Sequence, residues 1–120
     1  MITSKRIAVV GSREFRNYAQ ILDVSTHYVE YEDELVSGGA VGADSMAQRY
    51  AKEKGHPIHI YYPRWENGRS AGFARNKRIV ENSDLVLAFY TADRFQQGGT
   101  ANTAHWAREL GVPLLEFKED

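Results

Sequence analysis

The feature that most constrains this chain is the strict alternation of short apolar runs with helical patterns along its 120 residues. Residues 6–10 (RIAVV) form a near-continuous, β-branched run closed by Gly11, the pattern of a strand buried on both faces. Residues 16–31 then carry Tyr18, Ile21, Leu22, Val24, Ser25 and Tyr28 at three- and four-residue spacing, which predicts a helix with one apolar face. The cycle repeats with a strand over 34–37 stopped by Gly38-Gly39 and a helix over 43–54 stopped by Gly55. A strand over 57–62, a polar loop over 63–68 and a helix over 70–82 follow. The clearest strand, 84–90 (DLVLAFY), leads through a polar loop over 91–99 to a helix over 100–110, and Gly111-Val112-Pro113 turns into a last strand over 114–117. Apolar strands separated by helices imply a parallel sheet covered on both faces. Right-handed crossovers leave few topologies. The expected fold is therefore a Rossmann-like three-layer α/β/α arrangement of class α/β, with a five-stranded parallel sheet in the order 3-2-1-4-5. The flavodoxin-like order 2-1-3-4-5 is the alternative.

The length fits one domain spanning 1–120, large enough to fold without a metal or disulfide staple. The absence of cysteine rules out a disulfide framework, a Cys-based zinc site and a thiol nucleophile together. A net charge of −1 argues against a whole-surface attraction for nucleic acid or acidic membranes, so any partner must be held at a local site. Near the N-terminus, Lys5-Arg6 precede only four apolar residues before a glycine, too few for a signal segment or a membrane span. A cytoplasmic location and no membrane partner are the expectation.

In either topology the C-terminal ends of the strands and the N-terminal ends of the helices share one edge, where ligands bind at the reversal of strand order. The unusual residues of this chain collect there. Gly11, Ser12, Arg13 and Glu14 follow the first strand, and Ser37, Gly38, Gly39, Ala40, Gly42 and Asp44 lie around the second turn. Arg64, Arg69, Gly72, Arg75 and Asn76 follow the third strand, and Gly98, Gly99, Thr100, Asn102 and Thr103 the fourth. Glycines at a helix N-terminus allow close backbone approach, and free N–H groups with the helix dipole favour an anion. Taken singly, each turn reads equally as a tight turn, with Ser37 and Thr100 as helix caps. Converging on one edge, they read as a phosphate cradle. Neither a Walker A sequence nor a complete GxGxxG is present, Gly39-x-x-Gly42 being a fragment.

Residues 64–78 carry Arg64, Arg69, Arg75, Lys77 and Arg78 against the single acid Glu66. This basic segment is a second candidate phosphate surface, with Arg75 and Asn76 nearest the ligand edge. The four histidines, His27, His56, His59 and His105, form no metal-ligand spacing, and no GxSxG elbow marks a nucleophile. No metal is expected. Trp65 and Trp106 could stack on a base, although core or subunit-interface packing is the plainer expectation.

Gly11-Ser12-Arg13, the run SGGAVGAD over 37–44, the run GGTANTAHWARELGVP over 98–113 and Ala71-Gly72-Phe73-Ala74-Arg75-Asn76 in the form AGxxRN together resemble the SLOG superfamily. That superfamily includes the Smf/DprA DNA-processing proteins and the LOG phosphoribohydrolases, and the pattern is most similar to its small stand-alone YspA/YpsA-like members. The resemblance implies a Rossmann-like domain binding nucleotides, nucleotide derivatives or nucleic-acid ends. LOG-type hydrolases carry a glutamate three residues after a Gly-Thr pair, where this chain has Thr103. In this respect the Gly-Thr-x-x-Thr-Ala arrangement is similar to the DprA form.

The leading expectation is a nucleotide-binding or sensing domain. The amides of the two glycine-rich turns would hold phosphate, Arg13 and Arg75 would neutralise it, and Asn76 or Asn102 would orient base or ribose. An N-glycosidic hydrolase or ribosyltransferase is the alternative, with Asp44 or Glu14 supplying the carboxylate. A single-stranded DNA binder using the 64–78 segment is a third reading, less favoured by the net charge. No cofactor is required beyond a nucleotide-type ligand, and a homo-oligomer, dimer or higher, is expected.

Overall fold

The structure is a computed structural model and describes residues 4–68 and 70–120. Its strands are β1 (Arg6–Gly11), β2 (Glu34–Ser37), β3 (Ile58–Ile60), β4 (Leu85–Tyr90) and β5 (Leu114–Lys118), and its helices α1 (Tyr18–Tyr28), α2 (Ala43–Lys54), α3 (Ala71–Glu81) and α4 (Gly98–Leu110). All strand pairs are parallel, in the order β3-β2-β1-β4-β5. The expected Rossmann-like order is the one observed, and the sheet reverses direction of growth between β1 and β4.

Alternation along β1 sorts the core into two layers. Ile7 and Val9 pack with Leu35, Leu87, Phe89 and the α1–α2 residues Ile21, Ala47 and Tyr50. Ala8 and Val10 point the other way, onto Val36, Val86, Ala88, Tyr90 and the α3–α4 residues Ile79, Val80 and Ala107. Full burial of side chains such as Ile7, Leu35 and Ile79 stabilises the fold by roughly 1.5–3 kcal/mol each.

Several boundaries differ from the sequence pattern for local reasons. α1 spans only Tyr18–Tyr28, because Asn17 caps it by accepting from the Gln20 amide at 3.1 Å and Val29 is already extended. β3 shrinks to Ile58–Ile60, all half-buried, as befits an edge strand. α4 starts two residues earlier than expected, taking Gly98 and Gly99 into its first turn. At the edge away from the expected ligand site, Asp33 accepts from the backbone of Lys5 and Glu30, and Asp84 accepts from Arg6. Among the described residues, no helix is long and apolar enough to cross a membrane.

Candidate functional site

β1 ends at Gly11, and a side chain there would overlap the Phe89 carbonyl oxygen and stand 2.6 Å from the Ala43 Cβ. Glycine thus lets β1, β4 and the start of α2 meet. The next residue stitches them together. The Ser12 amide donates to the Phe89 carbonyl at 2.9 Å, and its carbonyl accepts from the Ala43 amide at 3.1 Å. The Ser12 hydroxyl turns outward, donating to the Glu14 carboxylate and accepting from the Glu14 amide, both at 3.2 Å. Arg13 and Glu14 are left exposed beside the sheet reversal.

The turn between β2 and α2 is closed by protein. Gly42, at φ 77°, lies so close to the Ser12 and Arg13 carbonyl oxygens that a side chain would overlap both. Ser37 is buried, and its hydroxyl donates to the Val9 carbonyl at 2.7 Å instead of capping a helix. The Gly38 carbonyl accepts from the Arg75 guanidinium. Gly39 backs onto the Tyr62 ring. From this turn only Ala40 and Asp44 reach the cleft described below.

The N-terminus of α4 is open. No side chain among the described residues caps it, and a side chain at Gly99 would meet nothing within 4 Å. Its first amides have no intrahelical acceptors, and the helix dipole adds positive potential at that end. Asn76, itself buried, anchors this end by donating to the Gly99 carbonyl at 3.2 Å and to the Asn102 side-chain oxygen at 3.1 Å. Neighbouring Arg75 donates to the Tyr61 carbonyl at 3.1 Å and to the Asn76 side-chain oxygen at 2.9 Å.

These walls enclose a cleft of about 470 Å³ at the reversal of strand order, within the usual range for small-molecule sites. The structure brings Gly11, Ser12, Arg13 and Glu14 together on one side of it. Arg75 and Asn76 stand on another side, and Gly98, Gly99, Thr100 and Thr103 on the α4 side. Ser37, Gly38, Gly39, Gly42 and Asn102 do not line it. The packing just described turns the first four inward, and Asn102 faces Asn76. The expected cradle of two glycine-rich turns is therefore one open helix end and one sealed turn.

The cleft also contains Trp65, for which packing was the plainer expectation, and four residues that the sequence reading did not single out. Trp65, carried by a single 3-10 turn (Trp65–Asn67), and Phe73 of α3 line it, as do Asp93, Arg94 and Gln97 from the segment between β4 and α4. Trp65 is 59% exposed, so neither core nor intramolecular packing accounts for it. Trp106 behaves as expected, packing half-buried on the α3–α4 core layer with the Lys77 ammonium 5.0 Å from its ring centre.

Asp44 is the most perturbed acid of the site. Burial pushes its carboxyl up from the ordinary 3.8, against the opposing effects of the Ala40 amide and the Arg75 charge. One of its oxygens accepts from Ala40 at 3.2 Å, and the other is buried with no hydrogen-bond partner among the described residues. Burial pulls Arg75 down, Asp44 acts against this, and the like charges of Arg13 and Arg78 add to it. That crowding of positive groups suits an anion.

Among the described residues of the basic segment over 64–78, three of the cations are engaged within the protein. Arg75 is engaged internally, Arg78 donates to the Tyr62 carbonyl at 3.0 Å, and Lys77 lies over Trp106. Arg64 is exposed away from the cleft lining, and Arg69 lies outside the described residues. The histidines are dispersed: His56 pairs with the Asp33 carbonyl at 2.9 Å, His59 with Glu34, and His27 and His105 are exposed. Among the described residues, no group of three His, Cys, Asp or Glu side chains is placed to hold a metal ion.

Fold and cleft together define a Rossmann-like protein with a ligand-sized opening at its strand-order reversal. The sequence model of the YspA, cpYpsA-related SLOG family matches residues 5–68, more than half of the chain, and the protein belongs to that family. It is 29% identical over 123 residues to the Gene 61 protein of Mycobacterium phage D29, an alignment covering 94% of this chain and 96% of that protein. Its fold is similar to that of DNA processing protein A (DprA) from Streptococcus pneumoniae, with a TM-score of 0.76 and 21% identity over 93% of this chain. This chain spans only 50% of that DprA chain. The structure of TM1055, a structural-genomics target, superposes with a TM-score of 0.68 at 19% identity, covering 92% of this chain and 72% of the other.

Proposed function

We propose that this protein binds a nucleotide or nucleotide derivative in the cleft, with a phosphate group seated at the N-terminus of α4. The observation that carries this reading is the uncapped Gly98-Gly99 start of α4, which opens into the cleft beside Arg13 and Arg94. Free amides, the helix dipole and guanidinium groups together suit a phosphate's charge and shape. Family membership and the likeness to a DNA-processing protein support a nucleotide-related role. The engaged cations of the 64–78 segment favour a small ligand over a long nucleic acid.

Isothermal titration with AMP, ADP-ribose and adenosine tests the reading. The phosphorylated ligands bind, and adenosine binds at least about ten-fold more weakly, because charge-assisted hydrogen bonds contribute about 1.5–3 kcal/mol each. Equal affinity for adenosine and AMP, or no binding by folded protein, would remove it. The expected self-association belongs to the same proposal and is read by light scattering.

One observation favours a catalytic reading of the same site. Asp44 beside the cleft is driven toward its protonated form, the state a general acid needs for cleaving an N-glycosidic bond. Chromatographic detection of base released from AMP, abolished by Asp44→Asn, would establish it. Activity that survives this substitution would exclude Asp44.

A further inference from the structure

The cleft wall facing away from β1 is aromatic and exposed in a way the phosphate reading leaves unexplained. Trp65 is 59% exposed and Phe73 56% exposed, both on the cleft lining. Large aromatic side chains left this open in a folded chain mark contact surfaces. Trp65 is also held in place. The 3-10 turn that carries it closes through Asn67 to Arg64 at 2.9 Å and Gly68 to Trp65 at 3.0 Å, and joins α3 through Ala71 to Gly68 at 3.2 Å. The indole edge rests over Gly72, where a side chain would stand 3.6 Å from the ring. A large ring resting by its edge on Gly72, mostly exposed and on the lining of a ligand-sized cleft, suits a stacked base.

We propose that Trp65, laid over Gly72, forms a stacking platform for one base on the wall it shares with Phe73, so that the cleft takes a one-base nucleotide with its phosphate toward α4. The inference rests on the nucleotide reading and adds its missing end. One indole platform and a cleft of about 470 Å³ suit a single nucleotide unit. Stacking is tolerant of base identity because every base has a π-face, so adenine and cytosine nucleotides both bind.

The test uses the full chain with Trp106→Phe, which leaves Trp65 as its single tryptophan. AMP, CMP and ribose 5-phosphate are titrated, following fluorescence and heat. AMP and CMP are expected to quench Trp65, and ribose 5-phosphate to bind without quenching it. In the otherwise natural chain, Trp65→Ala weakens AMP about ten-fold or more and leaves ribose 5-phosphate unchanged, while Trp65→Phe restores most of the AMP affinity. Trp65 is exposed, so circular dichroism is expected to be unchanged in both variants.

If Trp65→Ala leaves AMP affinity unchanged, or AMP binds no better than ribose 5-phosphate, the platform is overturned while the phosphate seat stands. If neither ligand binds the folded protein, the nucleotide reading falls and the platform with it. Affinity that climbs steadily with oligonucleotide length and collapses with salt would overturn the one-base site. So would a dimer that Trp65→Ala dissociates without change in AMP affinity.

Discussion

Asn76 on α3 donates its side-chain amide to the side-chain oxygen of Asn102 on α4 at 3.1 Å, and the same amide reaches the Gly99 carbonyl at 3.2 Å. Two helices separated in the chain by β4 are thereby tied together beside the cleft. Asn76 also accepts from Arg75, so one buried amide fixes both the cation and the helix end.

Replacing Asn76 by Ala leaves the Asn102 oxygen and the Arg75 Nε without this partner. A loss of about 1–3 kcal/mol is expected in urea unfolding. Amide exchange should accelerate in the first turn of α4 and much less in its last turn.

Gly11 and Gly99 both border the cleft but answer to different constraints. Gly11→Ala forces an overlap with backbone oxygen of β4, and a destabilisation of about 3 kcal/mol or more is expected. Gly99→Ala meets nothing and removes flexibility from the unfolded chain, so stability holds or rises by up to about 1 kcal/mol. Thermal melts of the two variants, read side by side, check the contrast.

Asp44 links stability to pH with a definite sign. Its folded value lies above the ordinary 3.8 because burial disfavours the charged form. The folded state therefore holds this proton more tightly than the unfolded chain does. The corresponding stability is fully present below about pH 4 and is lost as pH rises through the folded value. Asp44→Asn removes the titration. The stability of the natural protein relative to that variant should fall as pH rises above 4 and then level off. Urea unfolding of both proteins from pH 4 to 8 measures the difference, and a difference that does not change with pH would refute the sign.

Two cleft arginines should separate binding from folding. Arg94 is exposed, and among the described residues its side chain enters no ion pair. Arg94→Ala is expected to leave stability within about 0.5 kcal/mol while weakening AMP about ten-fold through loss of a charge-assisted contact. Arg75→Ala also releases the Gly38 and Tyr61 carbonyls, so it should lower both affinity and melting temperature. Calorimetry and thermal melts on the same samples distinguish the two patterns.

The strand order was legible because each strand is an apolar run ended by a glycine or a polar turn, and parallel crossovers leave little choice. The edge that carries the cleft was legible for the same reason. Residue orientation within the turns was not. Ser37 reads as an edge hydroxyl, yet the hydroxyl points back to the Val9 carbonyl, a partner remote in sequence. Gly98 and Gly99 read as a turn because glycine is a poor helix former. They are tolerated in the first turn of α4, where amides need no preceding carbonyl. Trp65 reads from sequence as a packing residue that could also stack on a base, and only the 3-10 turn, which lays it over Gly72 with 59% of it exposed, separates it from the core.

That 3-10 turn has a consequence for how the cleft can vary. The α4 side of the cleft meets the ends of β1 and β4 at Gly11 and is tied to α3 through Asn76, so changes at those two residues disturb the fold itself. The Trp65 side hangs on the 3-10 turn Trp65–Asn67, whose three residues are all exposed. Exchange of that turn would reshape this wall of the cleft while leaving the sheet and the Asn76 tie in place. In this architecture one wall of the cleft is part of the fold and the other is an attachment to it.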